Sequence, residues 1–446
     1  MREKLRASLP TAALVYLAGS TTVFGLYLAG IPNYIFFIAL FALTVVLTPP
    51  RLALSPLTFL YLYYGAWFVA APAIAEIYDG VLSRPEYSLA FAFAYVTMAI
   101  SAIAIRLGER ASALSPDFPQ WTQSLPSPPR AVTALWLIAL LYAVATIAVV
   151  LIVLRSGGFA TWMANPGDAF LNRGGTGMFV VLSHFASLTL AALTGYLAYR
   201  DKKYWLLIPF LAWVVITSPV HGSKLQIALL IVIALSPWLI RARFLSWTTA
   251  ALAAGGAVIF FAGMLMRHQD LLQSWSRIVA TMNYFTALEN LAISLRDLAP
   301  GLMQTFFMPF NKVGMLFGWL PPDSYFDMNH YLTDIYYPEK WAIKATEQWP
   351  VETDLWLNFY FFGGLPIVFL FFAAHGYLFG LAKRLNSMGA VFAITMIMMG
   401  MVSHLRGSLY NHVDFYLYPF IAAMFFIMLR WSLNTPSSDQ RSVVDR

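Results

Sequence analysis

Cysteine is absent from this chain of 446 residues. Its absence excludes disulfides, thiolate metal sites and cysteine nucleophiles. Charge is scarce as well: Asp, Glu, Lys and Arg make up 11% of the residues, against about 25% in an ordinary soluble domain. Also lacking are an internal repeat, a phosphate-binding P-loop and a GxGxxG fingerprint. Gly157-Gly158 and Gly174-Gly175 lie in loops and open no strand–helix unit. A nucleotide fold, or a pump driven by its own ATP site, is therefore not expected. What is present is 60% hydrophobic residues, at a mean hydropathy of +0.67. That balance rules out a soluble enzyme, a disordered chain and a disulfide-stapled secreted fold. It leaves an all-α polytopic membrane protein. The net charge of +7 fits basic residues at cytoplasmic membrane edges more simply than it fits a nucleic-acid partner.

A bilayer core needs about 20 apolar residues per helix. That ruler gives about twelve spans, near 11–29, 32–48, 53–75, 88–106, 131–154, 179–199, 204–219, 222–240, 246–266, 355–380, 387–403 and 412–430. The first two are joined by the short turn Gly30-Ile31-Pro32-Asn33, and the seventh and eighth meet at Pro219. Arg2, Lys4 and Arg6 before the first apolar segment resemble a signal peptide, but further spans follow at once, so it reads as a retained helix. With the N-terminus in the cytoplasm, inside segments hold 17 of the 28 Lys and Arg residues. Short outside segments hold 5, namely Arg84, Arg155, Arg173, Lys224 and Arg406. The rest lie in one long outside loop, which the positive-inside rule does not govern. This sorting supports twelve spans with both termini in the cytoplasm. Residues 1–266 then carry spans one to nine, 267–351 form the large loop, 352–433 carry spans ten to twelve, and 434–446 form a polar cytoplasmic tail read as disordered. The Pro- and Ser-rich stretch 112–130 reads as a cytoplasmic loop, and Arg106 and Arg110 as its solvated edge.

The large loop is too long to be a simple connector. Leu271, Leu272, Trp275, Ile278, Val279, Met282, Phe285, Leu288 and Leu291 form a helical stripe interrupted by polar residues. An interfacial helix, or one packed on the membrane domain, fits it better than a span. The second half, with Leu320-Pro321-Pro322-Asp323 and Tyr336-Tyr337-Pro338, sets aromatic rings beside carboxylates. That suits sugars, whose CH faces stack on rings, and equally suits an aromatic belt at the headgroup level.

Polar residues at the outer ends of spans are the informative set, because charge near the membrane is expensive. His221-Gly222-Ser223-Lys224 opens the eighth span, where free backbone N–H groups and a lysine make an anion site or a snorkelling helix end. Arg267-His268-Gln269-Asp270 leaves the ninth, and arginine binds phosphate with two parallel hydrogen bonds. His404-Leu405-Arg406-Gly407, followed by His412 and Asp414, is a polar run in the turn before the last span. Asn172-Arg173-Gly174-Gly175 is either a flexible turn or a close approach to ligand. Glu352-Thr353-Asp354-Leu355-Trp356-Leu357-Asn358-Phe359 offers a general base, or a cap in which Thr353 or Asp354 starts the tenth span. His184 and His375, each alone on an apolar span, read as satisfied core histidines, and no His pair with a carboxylate marks a zinc site.

These constellations resemble the Wzy-type O-antigen polymerases, or oligosaccharide repeat unit polymerases. The plan of many spans with one large loop in the second half matches over most of the chain. His221-Gly222-Ser223-Lys224-Leu225 is similar to that family's Gly-Ser/Thr-Arg-Gly/Ala pattern, with Lys224 standing where Arg is usual. Glu352 to Phe359 resembles its Glu-x-x-x-Asn-Phe-Gly stretch, with Tyr360-Phe361-Phe362 set before Gly363, and Arg406-Gly407 resembles an Arg-Gly pair in its penultimate loop. The resemblance implies a GT-C-like inner-membrane glycosyltransferase joining lipid-linked repeat units on the periplasmic side. The growing glycan leaves its undecaprenyl pyrophosphate and moves to the non-reducing end of a fresh repeat. Arg267, Lys224, Arg406 and Arg173, with His221 and His268, are then the pyrophosphate-binding candidates. Glu352, then Asp354 and His404, are the candidates for the base. No cofactor or metal is implied; the partners are lipid-linked oligosaccharide, membrane lipid and a chain-length regulator, with no nucleic acid. The rival readings are an O-antigen ligase, which uses the same donor, a flippase for the lipid-linked sugar, and a membrane acyltransferase, for which His412 and Asp414 match poorly.

Overall fold

The computed structural model describes residues 9–74, 82–115, 131–221, 224–267, 285–321, 323–342, 346–385 and 387–409. Among these the chain is helical, and isolated bridges join Leu52 to Arg243 and Leu302 to Phe359. The first helices are α1 (Leu9–Leu28), α2 (Tyr34–Leu47) and α3 (Pro56–Tyr64), the last running on through a π-helical turn, Gly65–Ala70, to Ile74. Then come α4 (Pro85–Leu114), α5 (Ala131–Arg155), the short α6 (Gly158–Ala164) and α7 (Pro166–Leu171), α8 (Gly177–Arg200), α9 (Leu207–His221), α10 (Lys224–Leu239) and α11 (Trp247–Arg267). The stretch that follows α11, called the outer segment after the side on which the sequence expects it, carries α12 (Ala287–Asp297), α13 (Asn311–Leu316), α14 (Met328–Tyr336), α15 (Pro338–Ala342) and α16 (Val351–Phe359). The last two are α17 (Leu365–Leu385) and α18 (Met388–Leu405).

Among the described residues eight helices are long and apolar enough to cross a membrane: Leu9–Leu28, Pro56–Ile74, Pro85–Leu114, Ala134–Arg155, Gly177–Arg200, Tyr204–His221, Phe362–Leu385 and Met388–Leu405. Three shorter apolar helices, Tyr34–Leu47, Gln226–Leu239 and Trp247–Gly263, fall where the sequence places spans two, eight and nine. The expected span at 412–430, the tail and most of the 112–130 loop lie outside the described residues.

α4 is the axis of the bundle and is buried along most of its length. α17 lies directly against it. The close approach is made by glycines: a Cβ on Gly108 would stand 2.0 Å from Ala373 O, and one on Gly376 2.1 Å from Ile105 O. Backbone against backbone gives tight van der Waals packing where apolar solvent offers no hydrophobic drive. Large apolar side chains such as Trp136, Ile208, Trp247 and Leu370 point outward and are exposed. Helices so apolar on their outer faces match a lipid surrounding.

Two expectations change. The seventh and eighth spans do not meet at Pro219, which lies inside α9; α9 continues to His221, and α10 opens at Lys224. The tenth span does not begin at 355. α16 stops at Phe359, and the span-length helix starts at Phe362. Thr353 and Asp354 do not cap that span: the N-cap of α16 is Pro350, with no side-chain bond. The stripe near 271–298 is described only from Phe285 onward. There α12 packs against α4, with Leu288 and Leu291 buried on the bundle.

Candidate functional site

Every turn of α16 is buried, although four of its nine residues are polar. Glu352, Thr353 and Asn358 are wholly enclosed, and Asp354 nearly so. The helix ends in an unusual corner. Tyr360 (φ 49°) and Phe361 (φ 61°) both adopt the left-handed region without being glycine, at a cost of about 1–3 kcal/mol each. The corner persists because it is held on all sides. Tyr360 N donates to Gly301 O (3.0 Å) and Phe361 N to Leu355 O (2.7 Å). The Phe361 ring stacks on Phe93 with centroids 3.7 Å apart. Alongside runs the segment 301–305, where Met303 N donates to Asn358 O (3.0 Å) and Thr305 N to Asn358 Oδ1 (2.8 Å).

Within this frame Glu352 faces the membrane helices. Its Oε1 accepts from the buried Tyr64 hydroxyl at 2.7 Å. Its Oε2 has no hydrogen-bond partner among the described residues. Glu352 precedes the span Phe362–Leu385. Burial pushes its carboxyl up to about 7, against the Tyr64 bond, which favours the charged form. Thr97 adds a weaker pull in the same direction, although its hydroxyl donates to Phe93 O (3.0 Å) and makes no bond to Glu352.

Asp354 and His404 are joined through Ser408. The Ser408 hydroxyl donates to Asp354 Oδ1 (3.0 Å), which also accepts from Asn358 Nδ2 (2.7 Å). His404 Nδ1 lies 3.2 Å from the Ser408 carbonyl, so Nδ1 carries the proton. The ring sits edge-on to Phe371 at 5.4 Å.

Arg406 follows the end of α18. Tyr63, beside Tyr64, donates to Leu405 O (2.8 Å) and so ties α3 to that end. The Arg406 guanidinium carbon stands 5.8 Å from the Trp67 ring centroid. Tyr63 stacks on Trp67 at 5.0 Å and lies within electrostatic reach of both Glu352 and Arg406. Trp67 is carried by the π-helical turn, a local widening often found at functional sites. Its indole N–H donates to Gln348 Oε1 (2.7 Å). The outer segment is locked over this point: Asn290 Nδ2 donates to Gln348 O (2.8 Å), Tyr337 OH to Asn290 Oδ1 (2.8 Å), and Asn329 Nδ2 to Arg406 O (3.0 Å). Glu352, Asp354, His404 and Arg406, far apart in sequence, are thus brought together between α3, α16 and α18.

Arg173 and His221 form a second group on other elements. Arg173 lies over the Phe170 ring (3.8 Å) and donates to Val220 O (3.4 Å). His221 is buried, with Nε2 2.9 Å from the Thr217 hydroxyl. His184, read as a core histidine, stands beside it with ring centroids 6.4 Å apart. Lys224 begins α10 and Arg267 ends α11; their side chains, and His268 altogether, lie outside the described residues.

Reading the residues alone passed over Tyr64, Tyr63, Trp67, Gln348 and Ser408. Tyrosines in an apolar span read as packing; the crowded run Tyr61 to Trp67 was the one visible signal. No three His, Asp or Glu side chains among the described residues stand close enough to share a metal ion. The arrangement offers a carboxyl poised near neutrality, a guanidinium near Trp67 and within electrostatic reach of Tyr63, and a cover of aromatic and amide groups. No protein-family model, curated protein or solved structure matches the chain.

Proposed function

We propose that the chain polymerises undecaprenyl-pyrophosphate-linked oligosaccharide repeat units, of O-antigen or a related surface polysaccharide, at the periplasmic face of a bacterial inner membrane. The observation that carries this reading is the pair Tyr64 and Tyr63, which tie Glu352 and the end of α18 that precedes Arg406 to one turn of α3 beneath the outer segment. In the reaction the bond between the donor sugar C1 and the pyrophosphate oxygen breaks, and a bond from C1 to the acceptor hydroxyl oxygen forms. Glu352 takes the hydroxyl proton, and a carboxyl near pH 7 suits a base that must both accept and release it. Arg406 stabilises the negative charge that grows on the leaving pyrophosphate. Asp354 and His404 hold the α16–α18 junction in place through Ser408. Arg173, His221, Lys224, Arg267 and His268 are left to engage the second pyrophosphate, since donor and acceptor each carry one. The leaving group is built into the donor, so the reaction needs no ATP. Glu352 is enclosed in the state described, so acceptor entry requires the outer segment to move.

Twelve spans, both termini in the cytoplasm, a GT-C-like architecture and a chain-length regulator as partner complete the reading. The sorting of basic residues between the two sides of the membrane supports it. The test is the surface glycan profile of the host lacking the gene. A core bearing a single repeat, with no ladder, is the expected result. A bare core with lipid-linked polymer accumulating means a ligase. Repeat units trapped inside the cell mean a flippase, and an unchanged ladder removes the reading.

A further inference from the structure

The opposite ends of the same helices line two adjoining, half-open cavities that the proposed reaction does not use. The larger, about 340 Å³, is lined by Arg51, Leu52, Glu109, Phe379, Lys383 and Arg384 among others. The smaller, about 240 Å³, adds Leu47, Arg106 and Arg110, and shares Arg51, Glu109 and Ala113 with the first. α3, α4 and α17 all pass from the Glu352 site to this end, α17 over 21 residues, or about 30 Å at 1.5 Å per residue.

Charge and polarity in this space are one-sided. Among the described residues five cations line it, Arg51, Arg106, Arg110, Lys383 and Arg384, against one carboxylate, Glu109. That carboxylate is engaged by Arg106 at 2.9 Å. The framework is fixed: Arg384 Nη1 donates to Ser112 O (2.8 Å) and Ser115 O (3.2 Å), and Arg106 also donates to Pro49 O. Arg51, Arg110, Lys383 and Arg384 are solvent-exposed. Apolar side chains share the walls. Leu47, Leu52 and Phe379 line the cavities, with the Lys383 ammonium 5.6 Å from the Phe379 ring centroid. A soluble phosphate would have no use for an apolar wall. An amphiphile uses both parts. Basic pockets between membrane helices at their cytoplasmic ends suit phosphate-bearing head groups.

We infer that these cavities bind the head group of an anionic phospholipid. The phosphodiester sits among Arg51, Lys383 and Arg384, with the glycerol and first methylenes against Leu52 and Phe379. The site lies away from Glu352 and Arg406 and stands whatever reaction they perform. It gives Arg106 and Arg110, which the sequence assigns to a solvated edge, a place in a binding site.

The test uses the full-length protein in nanodiscs of phosphatidylcholine, with or without phosphatidylglycerol, and reads the melting temperature. Wild type is expected to melt several degrees higher with phosphatidylglycerol. The double variant Arg51→Gln/Lys383→Gln should match wild type in pure phosphatidylcholine and lose most of that rise. Lys202→Gln/Lys203→Gln, which removes the same charge outside the cavities, should keep it. Equal melting of wild type in both bilayers overturns the inference. So does a full rise in the cavity variant, or an equal loss in the control variant. Glycerol 1-phosphate reproducing the rise in phosphatidylcholine discs would assign the cavities to a soluble anion and overturn the lipid.

Discussion

The hydroxyl of Tyr64 donates to Glu352 Oε1 across 2.7 Å, between residues 288 apart in the chain, and both side chains are fully buried. The bond holds down a carboxyl that burial raises to about 7. Tyr64→Phe removes it and leaves the burial, so Glu352 should titrate higher still. With purified protein and lipid-linked repeat, the acid limb of the rate profile should lie near pH 7 in wild type and move upward in the variant. A limb displaced upward by one pH unit lowers the rate on its acid side about tenfold. An unmoved limb would show that another group is the base.

Glu352 also makes stability depend on pH. An ordinary glutamate titrates at 4.5, and the folded one at about 7. Between these values the folded protein keeps a proton that the unfolded chain has released. Stability therefore falls as pH rises from about 4.5 to about 7, by on the order of 3 kcal/mol, and is level above. Glu352→Gln should match wild type in melting near pH 4.5, exceed it near pH 8, and polymerise nothing. Parallel melting curves across that range would argue against a carboxyl held largely neutral.

Arg406 is expected to act through its positive charge. Arg406→Ala should abolish long glycan chains while the protein still inserts. Arg406→Lys should keep part of the activity, since a lysine restores the charge without the planar fork. A full ladder from Arg406→Ala on a glycan gel would dismiss the anion site.

Asn358 joins Thr305 to α16 through bonds at Oδ1 and Nδ2. Asn358→Ala strands buried partners, at a cost of about 1–3 kcal/mol for each group left unsatisfied. Lower melting and faster proteolysis within the outer segment are expected, against little change for Asn172→Ala.

The contact of α4 with α17 leaves no room for a side chain at Gly376. Even Gly376→Ala sets a methyl 2.1 Å from Ile105 O. Helix separation must follow, and the yield of folded protein in membranes should drop sharply. Gly255→Ala, where nothing lies within 4 Å, is the matched control.

The membrane helices were legible because apolar runs of bilayer length have few other uses. Glu352, Asp354, His404 and Arg406 were legible because charge in so apolar a chain demands a reason. Their arrangement was not. The tyrosines that anchor Glu352 and Leu405 lie in α3, and nothing local distinguishes them from packing residues. The break after Phe359 was hidden because its corner is made by Tyr360 and Phe361, neither a usual turn residue. The corner is fixed by Gly301, Leu355 and Phe93, contacts that exist only once the outer segment has docked.

That corner also sets what the bilayer can do to the site. A span answers a thicker or thinner membrane by tilting. Had the chain run as one helix from Val351 to Leu385, Glu352 would rise and fall with it, as on the end of a lever. The double left-handed corner uncouples the two. The carboxyl keeps the height set by Tyr64 and the 301–305 segment, and the span tilts beneath it. Turnover in bilayers of different acyl length should therefore vary far less than the tilt of α17.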